Sequence, residues 1–207
     1  PADARVARDA QLDRSNSIGA SNWNQRVIPW MRGVVNELDL SGGSRASVIA
    51  MPITAGSRND YSGGARAIVD RTTSISSITT LLDDVPTNVS GTSDANAATG
   101  LWYPSTSWGH TPTWLAVKLA ERLLYDGVNP DGRKLLIIIT DGAPSATAGG
   151  SNRHKRAVYL TLEAGRQLKA RGTTIYGVGL NSGNWVNMGK KCEPLCEQEG
   201  AGLFGGN

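Results

Sequence analysis

An aspartate and two serines alternate along the segment from residue 12 to residue 19, which reads LDRSNSIG. Asp13, Ser15 and Ser17 all carry side-chain oxygen atoms and are spaced two positions apart. A loop that follows a strand can turn such side chains toward one point, where their oxygens suit a hard cation. The segment therefore points to a cation site and to a strand that must hold it in place.

Two further polar segments lie next to apolar ones. GHTPT at residues 109–113 precedes an apolar helical pattern, and TDG at residues 140–142 follows the apolar run LLIII. Together the three segments offer two carboxylates and several hydroxyl groups. Oxygen donors in that number suit Mg²⁺ or Mn²⁺ and suit Ca²⁺ less well, whereas zinc prefers histidine or cysteine. We therefore predict Mg²⁺ or Mn²⁺ as the cofactor, and no organic cofactor.

The elements that position these segments alternate along the chain. Apolar residues recur at helical spacing over residues 23–40, 74–85, 111–127 and 151–172. Strand patterns cover residues 5–12, 45–54, 133–142 and 173–180, with a short edge strand within 62–72. This alternation predicts an α/β fold, a Rossmann-like and mostly parallel central sheet flanked by helices on both faces. Ligands of such sheets bind at the carboxyl ends of the strands, where all three polar segments fall.

Two local features complicate this prediction. The first strand carries Arg5, Arg8, Asp9 and Gln11, and burying an unpaired charge there would cost several kcal/mol. We therefore expect this segment to be shifted, partly exposed or paired differently from a buried central strand. Pro29 lies inside the first helical pattern and indicates either an early position in the helix or a kink.

Length and composition set the class of protein. The chain has 207 residues, of which 39% are hydrophobic and 19% charged, as is typical of a globular domain. No run approaches the ~18 apolar residues of a membrane span. The net charge of +3 permits only weak attraction to polyanions, and we predict no nucleic-acid partner. Without an initiator methionine or a signal-peptide pattern, we expect the chain to be an excised piece of a larger protein.

Cys192 and Cys196 lie close together in CEPLC, whereas the two histidines of the chain, His110 and His154, are far from them in sequence. A zinc site there would lack ligands. We favour a local disulfide in an oxidising compartment, and the alternative is two free thiols. The sequence NVS makes Asn88 an N-glycosylation sequon, which matters only if the chain is secreted.

In their order, D-x-S-x-S, G-x-T-x-T before a helix, and an apolar strand that ends in T-D-G resemble the von Willebrand factor A domain, the integrin I-like fold with a metal-ion-dependent adhesion site. The resemblance covers roughly residues 5–190. It divides the chain into an A domain, residues 1–190, and a cysteine-containing extension, residues 191–207. It implies that Ser15, Ser17 and Thr111 bind the cation through their hydroxyls, and that Asp13 and Asp141 act mostly through water.

Neutral hydroxyl ligands leave the charge of such a cation under-compensated, so that it seeks an anionic ligand. An aspartate or glutamate carboxylate of a protein partner, or a sulfate, would complete the octahedron. The site is then one for binding, and no nucleophile and base converge in the sequence, so we predict that the chain is not an enzyme. His110, Thr113, Trp102 and Trp108 are the predicted ligand-binding rim; the alternative is that the tryptophans pack the long loop 87–108 onto the domain.

A finer resemblance is to the A domains of apicomplexan adhesins, the thrombospondin-related anonymous protein family. It is carried by SIGASNW, VIPWM, LLIIITDGAPS, YGVGLNSGNW and the cysteine pair near the C-terminus. It implies the ectodomain of a membrane-anchored or secreted adhesin, located at the cell surface and used for host-cell attachment, gliding and invasion. The alternative is an assembly domain of an extracellular matrix or surface filament, with a structural or vacant metal site.

Basic residues gather where the helix of residues 151–172 begins. Arg153, Lys155 and Arg156 could bind a sulfated glycosaminoglycan, or they could form an ordinary solvated helix face.

Overall fold

A five-stranded sheet forms the centre of the computed structural model, which describes residues 6–14, 18–52, 64–84, 101, 111–126, 132–140, 144 and 153–180. The strands are β1 (Val6–Asp13), β2 (Arg45–Met51), β3 (Arg66–Thr72), β4 (Arg133–Thr140) and β5 (Thr173–Gly179). Their order across the sheet is β3-β2-β1-β4-β5. β3 is antiparallel to β2, and all other pairings are parallel. The predicted α/β fold, with its short edge strand, is confirmed.

In the part of the chain that the structure describes, four helical regions cover the sheet, and a short 3-10 helix, Ser41–Gly43, precedes β2. The first, α1, consists of the helical turn Ala20–Asn22, the π-helical segment Trp23–Val27 and the α-helix Ile28–Asn36. The others are α2 (Ile75–Asp83), α3 (Thr113–Tyr125) and α4 (Arg153–Ala170). Each coincides with a predicted helical pattern, although α1 begins three residues earlier than predicted. Among the described residues, no helix combines the length and the apolar character needed to cross a bilayer.

Apolar side chains pack on both faces of the sheet in two separate clusters. On one face, Leu12 and Val48 pack with Val27 and Met31 of α1 and with Leu82 of α2. The other cluster joins strand residues to α3 and α4, and its members include Ile49, Leu136, Ile138, Ala116, Val117, Leu124 and Leu168. The sheet is therefore the middle of three layers, as an α/β fold requires.

β1 lies in the middle of the sheet despite its polar sequence. It pairs with β2 from Ala7↔Arg45 to Asp13↔Met51, and with β4 from Val6↔Arg133 to Leu12↔Ile139. Residues 11–14 are buried. The expectation of a shifted or differently paired strand is therefore wrong, whereas partial exposure at Arg8 and Asp9 stays a prediction, because their side chains lie outside what the structure describes. Strand pairing uses backbone groups that every residue here supplies, and Leu12 contributes the apolar contact on the α1 face.

The π-helical segment of α1 explains how a proline is tolerated inside the helix. The backbone N–H of Ile28 donates to the carbonyl oxygen of Trp23, five residues earlier, and Pro29 follows at the beginning of the regular α-helix. Proline has no N–H to donate and its ring crowds the preceding turn, so it fits best at the first turn of a helix. Pro29 therefore takes the early position that was one of the two predicted alternatives.

Candidate metal centre

Asp13 ends β1 and lies beside Thr140, which ends β4. Because Leu12 is paired with Ile139, the next residue of each strand is brought alongside the other. The Thr140 hydroxyl donates a hydrogen bond of 2.5 Å to Oδ2 of Asp13, and both side chains are buried. The bond fixes the orientation of the carboxylate at the carboxyl end of the sheet. Thr140 belongs to the T-D-G segment but was not predicted as a site residue.

Thr111 lies two residues before α3 and is buried. α3 packs against β1 and β2. In a parallel α/β unit the helix runs back across the sheet, so that its amino end lies over the carboxyl ends of the strands. Asp13 and Thr111 are thus placed at the same end of the sheet, as the sequence predicts.

Thr113, the first residue of α3, is only 2% exposed, and its hydroxyl has no hydrogen-bond partner among the described residues. Thr113 was predicted to belong to the ligand-binding rim. Its burial in this structure does not support that role, which stays a prediction. A buried hydroxyl without a partner is unfavourable by about 1–3 kcal/mol, which suggests that something polar occupies the adjoining space.

Arg14, the residue that follows β1, is bound to the backbone at the end of β2. Its backbone N–H donates to the carbonyl oxygen of Met51 at 2.6 Å, and Nη2 donates to that of Pro52 at 3.1 Å. Burial lowers the pKa of Arg14 to about 9, so the guanidinium is still charged at neutral pH. The sequence analysis did not predict this role of Arg14. Its position between the proposed ligands Asp13 and Ser15 is the feature that could have indicated it.

Trp23 connects α1 to the segment that leads to Thr111. Its indole Nε1–H donates to the carbonyl oxygen of Leu101 at 2.9 Å, and both residues are fully buried. The backbone N–H of Trp23 also donates to Gly19, which follows the D-x-S-x-S segment. Trp23 therefore contacts Leu101 through its side chain and Gly19 through its backbone, and so links the two segments.

Many of the predicted site residues lie outside the described residues. They are Ser15, Ser17, Asn88, Trp102, Trp108, His110, Asp141, Cys192 and Cys196. Within the described ranges no three His, Cys, Asp or Glu residues are grouped as a metal cluster. Only two members of the predicted ligand set, Asp13 and Thr111, fall within those ranges. Both carry side-chain oxygen atoms, which are the donors that a hard cation prefers.

The predicted basic patch begins α4. Arg153 and Lys155 lie in its first turn, and Arg156, which follows, is exposed.

The von Willebrand factor type A domain model matches residues 11–194, and the chain belongs to this family. Among curated proteins, none matches the chain.

Solved structures share the fold at low identity. A manganese-loaded Plasmodium vivax TRAP protein has a TM-score of 0.58 at 21% identity, over 92% of this chain and 64% of that one. Proximal thread matrix protein 1 from the mussel byssus has a TM-score of 0.58 at 19% identity, over 92% and 41%. A form of that protein with a zinc-occupied metal-ion-dependent adhesion site has a TM-score of 0.52 at 15% identity, over 94% and 48%. The chain thus spans about two fifths to two thirds of the length of these proteins.

Proposed function

We propose that this chain is a metal-dependent adhesion module. In this proposal a divalent cation, Mg²⁺ or Mn²⁺, is held by Asp13, Ser15, Ser17, Thr111 and Asp141, and it coordinates an acidic group of a partner. The observation that carries the proposal is the buried carboxylate of Asp13, fixed by Thr140 at the carboxyl end of the central strand of a von Willebrand factor A fold.

The side chains of this site would bind and orient, and would not react. When bound, the cation would supply a positive charge that attracts a partner carboxylate. Thr140 keeps the carboxylate of Asp13 in one orientation, and Arg14, the next residue, binds the backbone at the end of β2.

The setting we propose is extracellular. In it the chain is part of a secreted or membrane-anchored surface adhesin that contacts a protein partner through an aspartate or glutamate, with attachment, gliding and host-cell invasion as the biological use. The likeness to the Plasmodium vivax TRAP protein supports this choice. A sulfated glycosaminoglycan that contacts Arg153, Lys155 and Arg156 is a further proposed ligand, and nucleic acid is not.

A metal titration tests the site. The melting temperature would be followed as Mg²⁺, Mn²⁺ and, because one relative holds zinc at this motif, Zn²⁺ are added. A cation at 100 times its Kd stabilises the native state by about 2.7 kcal/mol, which corresponds to roughly 5–11 °C for a domain of this size. Asp13→Ala should abolish the shift. Equal shifts in the wild type and in Asp13→Ala would contradict the proposed site.

The mussel byssus relative favours a second candidate, an assembly domain of an extracellular matrix or filament with a structural or vacant metal site. Binding to cells, or to immobilised acidic peptides, separates the two functions. An adhesin loses binding in chelator and keeps it in 0.5 M salt at roughly unchanged strength, because a metal–carboxylate bond is short-range. Binding that survives chelator and fades with salt would assign the contact to the basic patch instead.

We further propose a domain of residues 1–190 followed by an extension, residues 191–207, closed by a Cys192–Cys196 disulfide, and glycosylation at Asn88 in a secreted form. A mass measurement without reductant tests the disulfide, and two thiols that react with an alkylating agent would contradict it.

A further inference from the structure

Gln11 is a polar side chain in the most buried part of the sheet. It lies on the central strand, paired with Ile49 of β2 and Ile138 of β4, and it is fully buried. Neither amide atom, Nε2 or Oε1, has a hydrogen-bond partner among the described residues. A buried amide that is left unsatisfied is unfavourable by several kcal/mol, and such groups in native proteins commonly hold an ordered water.

The position of Gln11 places its amide on the same side of the sheet as Asp13. Side chains two residues apart on a strand point to the same face, and the cross-strand neighbours of Gln11 belong to the cluster under α3 and α4. α3 presents the small side chains of Ala116 and Ala120 to that cluster. Small side chains fill less of the layer opposite the central strand, as a water beside the amide requires.

The general spacing of residues along a strand is compatible with one bridging water. Residues two apart on a strand are separated by about 6.6 Å, and a water with two hydrogen bonds spans about 5.7 Å. The unpartnered hydroxyl of Thr113 begins the helix that packs on the same strand. A water there can accept a hydrogen bond from Nε2 of Gln11 and donate to the carboxylate of Asp13 and to the hydroxyl of Thr113.

We propose that a buried water occupies this space and that Gln11 is a positioning residue for Asp13. Thr140 holds the carboxylate directly from β4, and Gln11 holds it through the water from within β1. Outer contacts of this kind orient a metal-binding carboxylate, and their loss typically weakens metal binding about 10- to 100-fold. The role in metal binding rests on the proposed function, whereas the water site does not.

The test separates metal affinity from folding stability. Gln11→Leu and Gln11→Met keep the volume of the side chain and remove the amide. In chelator, the melting temperature of both variants should equal or slightly exceed that of the wild type, because replacing a buried amide and its water by an apolar side chain of similar volume is close to neutral or stabilising. The Kd for Mn²⁺ should rise about tenfold or more. A residue with a merely structural role would not move these two quantities in opposite directions.

Ile49→Leu is the matched control, because it alters packing in the same layer and removes no polar atom. Its Kd for Mn²⁺ should equal that of the wild type, and a rise equal to that of the Gln11 variants would overturn the inference. If Gln11→Leu and Gln11→Met bind Mn²⁺ with the same Kd as the wild type, the inference is also overturned, but the proposed metal site is not. A failure of both variants to fold would overturn the inference too, since the amide would then be holding the fold itself.

If the wild type binds no cation, the proposed function fails and the water site is decided by crystallography alone. Density for a water within hydrogen-bond distance of the Gln11 amide and of the Asp13 carboxylate would support the site. A dry cavity at high resolution would overturn it.

Discussion

Asp13 depends on side chains that a search for alternating serines does not reveal. Thr140 donates to its carboxylate from a strand that lies 127 residues further along the chain. Arg14, directly after it, binds the backbone carbonyl at the end of β2. The carboxylate is therefore already oriented before a cation binds, which lowers the entropic cost of metal binding.

We predict that Thr140→Val weakens metal binding. The substitution keeps the shape of the side chain and removes the hydroxyl that orients Asp13, so the Kd for Mn²⁺ should rise about tenfold. The free energy of unfolding in chelator should fall by about 1–3 kcal/mol, because the buried carboxylate loses a donor. Calorimetric titration and urea denaturation measure the two effects.

Thr161→Val is the control for this prediction. Thr161 is also buried, but its hydroxyl donates to the carbonyl oxygen of Ala157 within α4. Removal of the Thr161 hydroxyl should leave the Kd for Mn²⁺ unchanged. If both valine variants bind Mn²⁺ as the wild type does, the hydroxyl of Thr140 has no part in the site.

At the scale of single residues, the sequence predicts where oxygen-bearing side chains lie but not how they are held. The D-x-S-x-S pattern correctly placed Asp13 at the end of the first strand. The contact with Thr140 depends on the register between β1 and β4, which no local pattern encodes. The burial of Gln11 was also unpredictable, because it depends on the central position of β1, which the polar sequence of that strand argued against.

Elements pack through a few specific polar contacts as well as through apolar surface. In α1, Trp23 donates its indole hydrogen to Leu101. Between α3 and α4, Glu121 accepts hydrogen bonds from Lys118 at 3.1 Å and from Arg171, directly after α4, at 2.9 Å. Substituting Trp23 or Glu121 should therefore lower the stability of the protein.

Trp23→Phe should destabilise the protein by about 1–3 kcal/mol. Phenylalanine fills most of the buried site but leaves the carbonyl oxygen of Leu101 without its donor. Trp30→Phe, on the same helix and 36% exposed, should change the stability by less than about 0.5 kcal/mol. Urea denaturation of both variants checks this, and equal losses would show that the indole hydrogen bond contributes nothing.

Glu121→Gln should lower stability at neutral pH but not in acid. Partial burial acts to raise the pKa of Glu121, but the hydrogen bonds and charges of Lys118 and Arg171 outweigh it, so the pKa lies below its ordinary value of 4.5. The ionised carboxylate therefore stabilises the native state above that value, and the contribution is lost as the pH falls through the native pKa.

Urea denaturation across a pH series measures this effect. The difference in unfolding free energy between wild type and Glu121→Gln should be about 1 kcal/mol at pH 7 and should shrink toward zero as the pH falls below 4.5. Glu163→Gln, whose carboxylate lies 3.8 Å from Arg166 and is more exposed, should give a smaller difference throughout. A difference for Glu121→Gln that persists in acid would contradict the assigned cause.

The elements themselves were largely predictable. The sequence patterns located the five described strands and the helical regions α1 to α4, because these segments bury one stripe or both faces against the rest of the domain. The short 3-10 helix Ser41–Gly43 was not predicted. The beginning of α1 was missed, since Ser21 and Asn22 are residue types that favour loops and caps. In the structure the Asn22 side chain donates to the carbonyl oxygen of Ile18, which satisfies the backbone where the helix begins.

At the scale of the whole molecule, the sheet separates two apolar layers that share no described side chain. Ile28 of α1 belongs to one cluster and Ile138 of β4 to the other. The alternation of helices and strands predicted these layers. It could not decide the position of β1, whose polar sequence argued against the centre of the sheet, because strand order follows from pairing over the whole chain.

Substitutions in different layers should therefore be additive. Ile28→Val and Ile138→Val should each lower the free energy of unfolding by about 0.5–1.5 kcal/mol. The double variant should equal their sum within about 0.5 kcal/mol. A coupling energy above that in urea denaturation would mean that the two layers adjust to each other through the sheet.

The pairing of β1 with β4 also sets the order in which the protein can be completed. β1 leaves the ribosome first, yet its neighbour β4 is 120 residues further along, and synthesis of the chain from Asp13 to Thr140 takes roughly 6–25 seconds. Until β4 has been made, the central strand has at most β2 on one side and an open edge on the other. The proposed cation site can therefore form only after residue 140 has been synthesised.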